Sequence, residues 1–307
     1  MKLINVLHAC VLLVFLSLQA MADTDFELCT NNDSTDADKK YAACTAAIEK
    51  GQLDKTNLAA AYNRRAIVRE AKKDIPGAIA DYTEVTKIDP KLASAYLSRG
   101  DLYYGQKNFQ QAIADYSMAV KIRPDWLMAL KYLGDAYDES GDPRKAISAY
   151  QGALKVDHKY ADAHFDLGVV YRKTGSYAKS VASFSKAIAL VPDHAGAFNG
   201  RCMAYVQSGN LKKALMDCSK ALDLNSRVSA YWEARGIVHH RMGNLQLAMS
   251  DYAQAATMDP QNANALFGRG LVRQKSGDKL GGEADVAAAQ KINPDVAKTM
   301  ATFGIRD

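Results

Sequence analysis

Two tryptophans, seven prolines and 20 glycines in 307 residues are too few for a fibrous or low-complexity chain. Charge of one sign is scarce as well. The 39 basic and 34 acidic residues leave a net charge of +5, too balanced to argue for nucleic acid or a charged membrane surface as the partner. Past the amino terminus no apolar run approaches the roughly 20 residues that a membrane span needs, so no transmembrane segment is expected. A glycine-rich phosphate loop is missing. The histidines at 158, 164, 194, 239 and 240 show no common spacing, and no cysteine or serine has a base partner, which speaks against an enzyme and against a cofactor. His239 and His240 are adjacent on a helix and point in different directions, so no metal site is expected.

Residues 1–22 differ from the rest. They carry Lys2 and no acid, then "VLLVFLSLQ", then Ala20 and Ala22 around Met21. This reads as a secretory signal peptide cleaved after Ala22, leaving an exported chain, periplasmic or secreted. Losing Lys2 leaves 38 basic against 34 acidic residues, a net charge of +4.

What the chain has in abundance is a period. Pro90, Pro124, His158, Pro192, Ser226, Pro260 and Pro294 stand 34 residues apart, which sets out seven units beginning at Ala59. With the Pro slot numbered 32, slot 8 is Ala66, Gly100, Gly134, Gly168, Cys202, Gly236 and Gly270. Slots 20 and 27 are almost always Ala, and slots 11 and 24 are often aromatic, as in Tyr103, Tyr116, Tyr137 and Tyr150. A glycine near slot 15 (Gly141, Gly175, Gly209, Gly243, Gly277) separates two halves whose internal spacings of three and four are helical. Each unit is therefore a predicted helical hairpin. Small residues let two backbones approach, and aromatic rings fill the space beside the contact.

The tripeptide Arg99-Gly100-Asp101 falls at slots 7 to 9, in mid-helix, which argues against an adhesion loop. A turn near slot 15 sets slot 7 opposite slot 23. Five units carry Arg at 7 and Asp at 23: Arg65 and Asp81, Arg99 and Asp115, Arg201 and Asp217, Arg235 and Asp251, Arg269 and Asp285. Where Leu133 and Leu167 replace the Arg, slot 23 is Ala149 and Ser183. A guanidinium near a helix–helix contact needs a carboxylate for its planar donors, so an ion pair is predicted inside each of the five hairpins.

Four cysteines follow the leader. Cys202 and Cys218 occupy slots 8 and 24 of one hairpin and should face each other. Cys29 and Cys44 enclose a polar loop. In an exported chain both pairs are expected as disulfides, with buried free thiols as the alternative.

The small, aromatic and proline slots resemble the tetratricopeptide repeat family, in seven tandem copies over about three quarters of the chain. The resemblance implies an all-α, right-handed α-solenoid of helix-turn-helix hairpins capped at both ends. The expected layout is a signal peptide over 1–22, an amino-terminal cap with an incomplete unit over 23–58, seven units over 59–294 and a capping helix over 295–307. It also implies a concave groove lined by slots 2, 5, 6, 9, 12 and 13. In this chain those slots hold Leu97, Asp101, Tyr104, Lys131, Tyr132, Asp135, Asp138, Phe165, Asp166 and Arg172, continued by Met203, Glu233, His240 and Phe267. The slots that hold a chaperone carboxyl terminus in some family members start here with Asn63, Ile67, Ser98, Met128 and Tyr132, so that carboxylate clamp is absent. The expected function is an exported scaffold or adaptor that binds a protein or peptide, basic or amide-rich, in bacterial envelope assembly or maintenance. The alternative is a soluble receptor for a small ligand or glycan held by Tyr104, Tyr132 and Phe165. The oligomeric state stays open.

Overall fold

The structure is a computed structural model and describes residues 24–31 and 36–306. The signal peptide expected over 1–22 lies outside the described residues.

Seventeen helices follow one another, and no strand occurs among the described residues. Helix α1 spans residues 24–30 and α2 spans Ala37–Glu49. Seven successive pairs come next: α3 (Lys55–Ala71) with α4 (Ile75–Ile88), α5 (Ala93–Gly105) with α6 (Phe109–Ile122), α7 (Leu127–Glu139) with α8 (Pro143–Val156), α9 (Ala161–Lys173) with α10 (Tyr177–Leu190), α11 (Ala195–Gln207) with α12 (Leu211–Leu224), α13 (Ser229–Arg241) with α14 (Leu245–Met258), and α15 (Ala263–Lys275) with α16 (Lys279–Ile292). Helix α17 (Val296–Thr302) closes the series. The fold class is the expected all-α solenoid of tandem hairpins. The chain divides within α8 into two compact units, up to Ala149 and from Tyr150 onward.

Local chemistry sets every hairpin turn. Gly141, Gly175, Gly209, Gly243 and Gly277 have φ between 76° and 95°, a region where a side chain clashes with its own backbone. In the first two hairpins Lys73 and Lys107 take that conformation instead, at φ 62° and 59°. The next residue caps the second helix. Asp74, Asn108, Asp142, Asn210 and Asp278 each accept the backbone N–H three residues on. Behind the cap, the N–H of Asn108 reaches the Tyr103 carbonyl at 2.9 Å, which closes the preceding helix with a Schellman bond. The proline two residues past α4, α6, α10, α14 and α16 cannot continue a helix.

The small slots receive rings. A Cβ placed on Gly100 would lie 2.7 Å from Tyr116 Cε1, one on Gly168 2.8 Å from Phe184 Cδ1, and one on Gly236 2.8 Å from Tyr252 Cδ1. Those three rings are at most 2% exposed, each a burial that stabilises by roughly 2 kcal/mol or more. In the unit up to Ala149 the rings of Tyr82 and Tyr116 anchor successive cores. In the unit from Tyr150 onward Ile237, Tyr252 and Phe267 do so, and Val296, Met300 and Ile305 from the carboxyl end bury into the same core. Cys29 and Cys44 are joined with their Cα atoms 4.7 Å apart, Cys202 and Cys218 with theirs 5.5 Å apart.

Candidate functional site

The five Arg and Asp pairs are frame, and their geometry explains why the tripeptide at 99–101 is not a display site. Arg99 donates from Nε and Nη2 to Asp115 at 2.8 and 2.7 Å, and from Nη1 to the Thr83 and Thr86 hydroxyls at 3.0 and 3.2 Å. Arg65, Arg201, Arg235 and Arg269 make the same two-pronged contact with Asp81, Asp217, Asp251 and Asp285 at 2.7 to 2.9 Å. Four of these guanidinium groups also lie over a ring three residues earlier: Tyr62, Tyr96, Phe198 and Trp232, at 5.0 to 5.7 Å. The carboxylate and the guanidinium's desolvation act oppositely on the arginine, and the bond to Asp115 prevails, raising the Arg99 pKa.

Sequence reasoning missed a second arginine on two of these carboxylates. Arg69 reaches Asp81 at 2.9 Å and Arg273 reaches Asp285 at 2.9 Å. Both stand at slot 11, where four of the five units between them have Tyr and the other has His239. That exchange at the two ends of the repeat array was the available signal.

A recess forms in the unit up to Ala149. Asp101 and Tyr104 from α5, Tyr116 from α6, and Tyr132 and Asp135 from α7 line a pocket of about 230 Å³. The Tyr116 hydroxyl donates to Asp101 Oδ1 at 2.7 Å. Tyr116 and Tyr132 lie 5.8 Å apart at a tilt of 51°, and Tyr104 meets Phe109 edge-on at 5.5 Å. Lys131 pairs with Asp135 at 2.8 Å and stands 5.8 Å from the Tyr132 ring centre, so the rim already accommodates one ammonium group. Burial, joined by the charge of Glu70, raises the Asp101 pKa although the Tyr116 hydroxyl opposes the shift. Burial also raises the Tyr104 and Tyr116 phenols, with the neighbouring carboxylates adding to it. Both phenols therefore stay neutral donors beside carboxylates. Asp138 lies half-buried on the last turn of α7.

In the unit from Tyr150 onward the expected groove residues behave differently. Phe165 stacks on His194 at 4.9 Å and meets Phe184 edge-on at 5.6 Å. Asp166 and Arg172 are half-buried on α9. Glu233 accepts the side-chain amides of Asn262 and Asn264, both at 2.9 Å, and burial raises its pKa. Its carboxylate is already engaged within the unit.

Four of the groove residues expected from slot position are not available to a partner. Leu97, Met203, His240 and Phe267 are buried, between 1% and 8% exposed. Slots 5, 9 and 12 flank the contact with the neighbouring hairpin, and a large side chain there lowers its free energy by turning into that contact. Leu97 joins Tyr116 and Leu133, and Met203 and Phe267 join the Tyr252 core. His240 meets Tyr252 edge-on at 6.2 Å, and burial pushes its pKa down to about 4. The Tyr252 hydroxyl has no hydrogen-bond partner among the described residues. Its counterparts are served: Tyr82 donates to Glu70 and Tyr116 to Asp101.

Among the described residues no helix is long and apolar enough to cross a membrane, and no three metal-ligating side chains converge.

Comparison with known proteins bears on this geometry. Family models described as tetratricopeptide repeat match residues 133–195, 200–263 and 91–159, and one described as TPR repeat matches 71–107. The solved structure of MamA is 28% identical, with 55% of this chain covering 92% of that one at a TM-score of 0.52. A tetratricopeptide repeat protein from Parabacteroides merdae is 18% identical over 89% of this chain and 99% of its own, at 0.61. Pseudomonas aeruginosa pilF is 19% identical over 68% and 96%, at 0.58. The last two carry the likeness of fold alone. No curated protein matches the chain.

Proposed function

Since the chain belongs to the tetratricopeptide repeat family, we propose that it is an interaction scaffold that binds a protein or peptide through the pocket of Asp101, Tyr104, Tyr116, Tyr132 and Asp135. The observation that carries this reading is the pairing of three tyrosine rings with two carboxylates in a recess of side-chain size. Rings offer area at low conformational cost, and the carboxylates select a cation. The fit is to a lysine or arginine side chain of a basic or amide-rich segment. Lys131 against Asp135 and the Tyr132 ring is the internal example of that contact.

The signal-peptide pattern of residues 1–22 and the two cysteine bridges support an exported adaptor working in the envelope, since such bridges persist in oxidising compartments. The half-exposed Tyr104 and Tyr132 also favour the second reading, a receptor for a small ligand or glycan.

A photoreactive amino acid at Tyr132, activated in the living cell and followed by mass spectrometry, tests the scaffold. A stoichiometric protein partner crosslinked through a basic or amide-rich segment supports it. Absence of any protein adduct, together with a saturable saccharide isotherm, would replace it with the receptor.

A further inference from the structure

Most of the half-buried arginines of this protein share a habit that Arg172 lacks. Arg65, Arg69, Arg99, Arg201, Arg235 and Arg273 each face a carboxylate within 2.9 Å. Arg172, at the end of α9, has as its hydrogen-bond partner only the Gln207 side-chain oxygen, at a long 3.4 Å. Desolvation pulls its pKa below the usual arginine value, and the Tyr177 phenol offers the one opposing influence. A half-buried guanidinium without a counter-charge is costly.

A second guanidinium reaches the neighbouring residue of α11 from another helix. Arg241, at the end of α13, donates from Nη1 to the Val206 carbonyl, one residue before Gln207 in the last turn of α11. The Gly304 backbone passes close beside Arg241, where a Cβ would lie 2.9 Å from its Nε. Two guanidinium groups from α9 and α13 thus converge on adjacent residues of α11, and neither has a carboxylate partner among the described residues. Lys275 extends the cationic edge onto α15, with its Nζ 3.5 Å from His240 Nε2. The His240 ring is the neutral acceptor in that contact, because burial and the Lys275 charge push its pKa down to about 4.

We infer that Arg172 and Arg241 form an anion site at the carboxyl end of α11 that takes the carboxylates of an acidic peptide segment. Each planar fork has donors to spare for a carboxylate, and a bidentate contact supplies both affinity and register. The weak bond of Arg172 to Gln207 is what an incoming carboxylate displaces. The site lies in the unit from Tyr150 onward and has the opposite polarity to the tyrosine pocket, so it stands or falls independently of that reading.

The test uses the full chain and a fluorescein-labelled octapeptide of alternating Glu and Gly, with its Gln-for-Glu counterpart as control, followed by fluorescence anisotropy. The Glu peptide is expected to bind at least about tenfold more tightly than the Gln peptide. Arg172→Gln and Arg241→Gln each weaken it about tenfold, whereas Lys220→Gln, an equal charge loss on exposed α12, changes it less than about twofold. Arg172→Gln is also expected to leave the melting temperature unchanged or raised, which a purely structural arginine would not do. Should Arg241→Gln fail to fold, Arg172→Gln decides alone. Equal binding of the two peptides, or an Arg172→Gln affinity within about twofold of the parent, overturns the inference.

Discussion

Replacing Arg99 with Leu and Asp115 with Ala copies into the second hairpin the combination that Leu133 and Ala149 already form in the third. The double change therefore has a folded precedent in the same molecule, and the single changes do not. Asp115→Ala leaves a guanidinium that is 15% exposed with the hydroxyls of Thr83 and Thr86 as its protein acceptors. Arg99→Leu leaves a carboxylate that is 7% exposed and stripped of both of its charged donors. Breaking a fully buried pair costs about 3 to 5 kcal/mol, and the residual exposure of Arg99 lowers this to about 2 to 3 kcal/mol for either single change. The double change removes both charges, fills the space with apolar carbon and costs about 1 kcal/mol. The losses thus fall short of additivity by about 3 to 5 kcal/mol, at or above the upper end of measured coupling energies. Urea unfolding followed by far-UV circular dichroism reads this, with the slope compared between variants because stacked repeats need not unfold in one step. Losses that add to within about 0.5 kcal/mol would refute the pairing argument.

Lys107→Gly relieves the φ of 59° at the second turn and is expected to stabilise by about 1 kcal/mol, whereas Gly141→Ala, at φ 84°, should destabilise by about as much, both read from urea midpoints. Gly100→Ala drives a methyl to 2.7 Å from the Tyr116 ring and costs about 1 to 3 kcal/mol, while Gly105→Ala meets nothing within 4 Å and should not destabilise; thermal melts separate the two. Reducing the Cys202 to Cys218 bridge, with its separation of 16 residues, lowers stability by about 3 kcal/mol on the chain-entropy account, seen as a lower melting temperature in reductant, of which a Cys202→Ala, Cys218→Ala double variant keeps only the part due to the Cys29 to Cys44 bridge. His240 is buried neutral with its pKa pushed down to about 4, against an ordinary value of 6.5, so the unfolded chain binds the extra proton between those limits. Its stabilising contribution is complete above about pH 6.5 and is lost as pH falls toward 4; His240→Gln should flatten that part of a melting temperature against pH curve.

How far the candidate site could be read in advance differs from residue to residue. The resemblance to the repeat family implied Asp101, Tyr104, Tyr132 and Asp135 as groove residues, and all four line the candidate pocket. It did not find Tyr116 as a wall of that pocket, since slot 24 belongs to the second helix and was read as filler for the hairpin contact. Slot position also says nothing of what stands opposite. Leu97, Met203, His240 and Phe267 share their slots with half-buried or exposed residues elsewhere and are buried here because the neighbouring hairpin leaves room for them. Glu233, expected in the groove, is held by Asn262 and Asn264, some thirty residues on.

The sequence by itself determined the architecture: a repeated alternation of small and aromatic slots, punctuated by Gly and Pro, admits stacked helical hairpins and little else. It also determined the Arg and Asp partners, since both lie inside one hairpin whose turn sets their register. Only the tertiary structure decided which inward side chains remain reachable and which charges go unanswered. Reach and pairing depend on contacts between hairpins, where the distances and volumes of side chains far apart in the chain settle whether a group is covered, capped or left open.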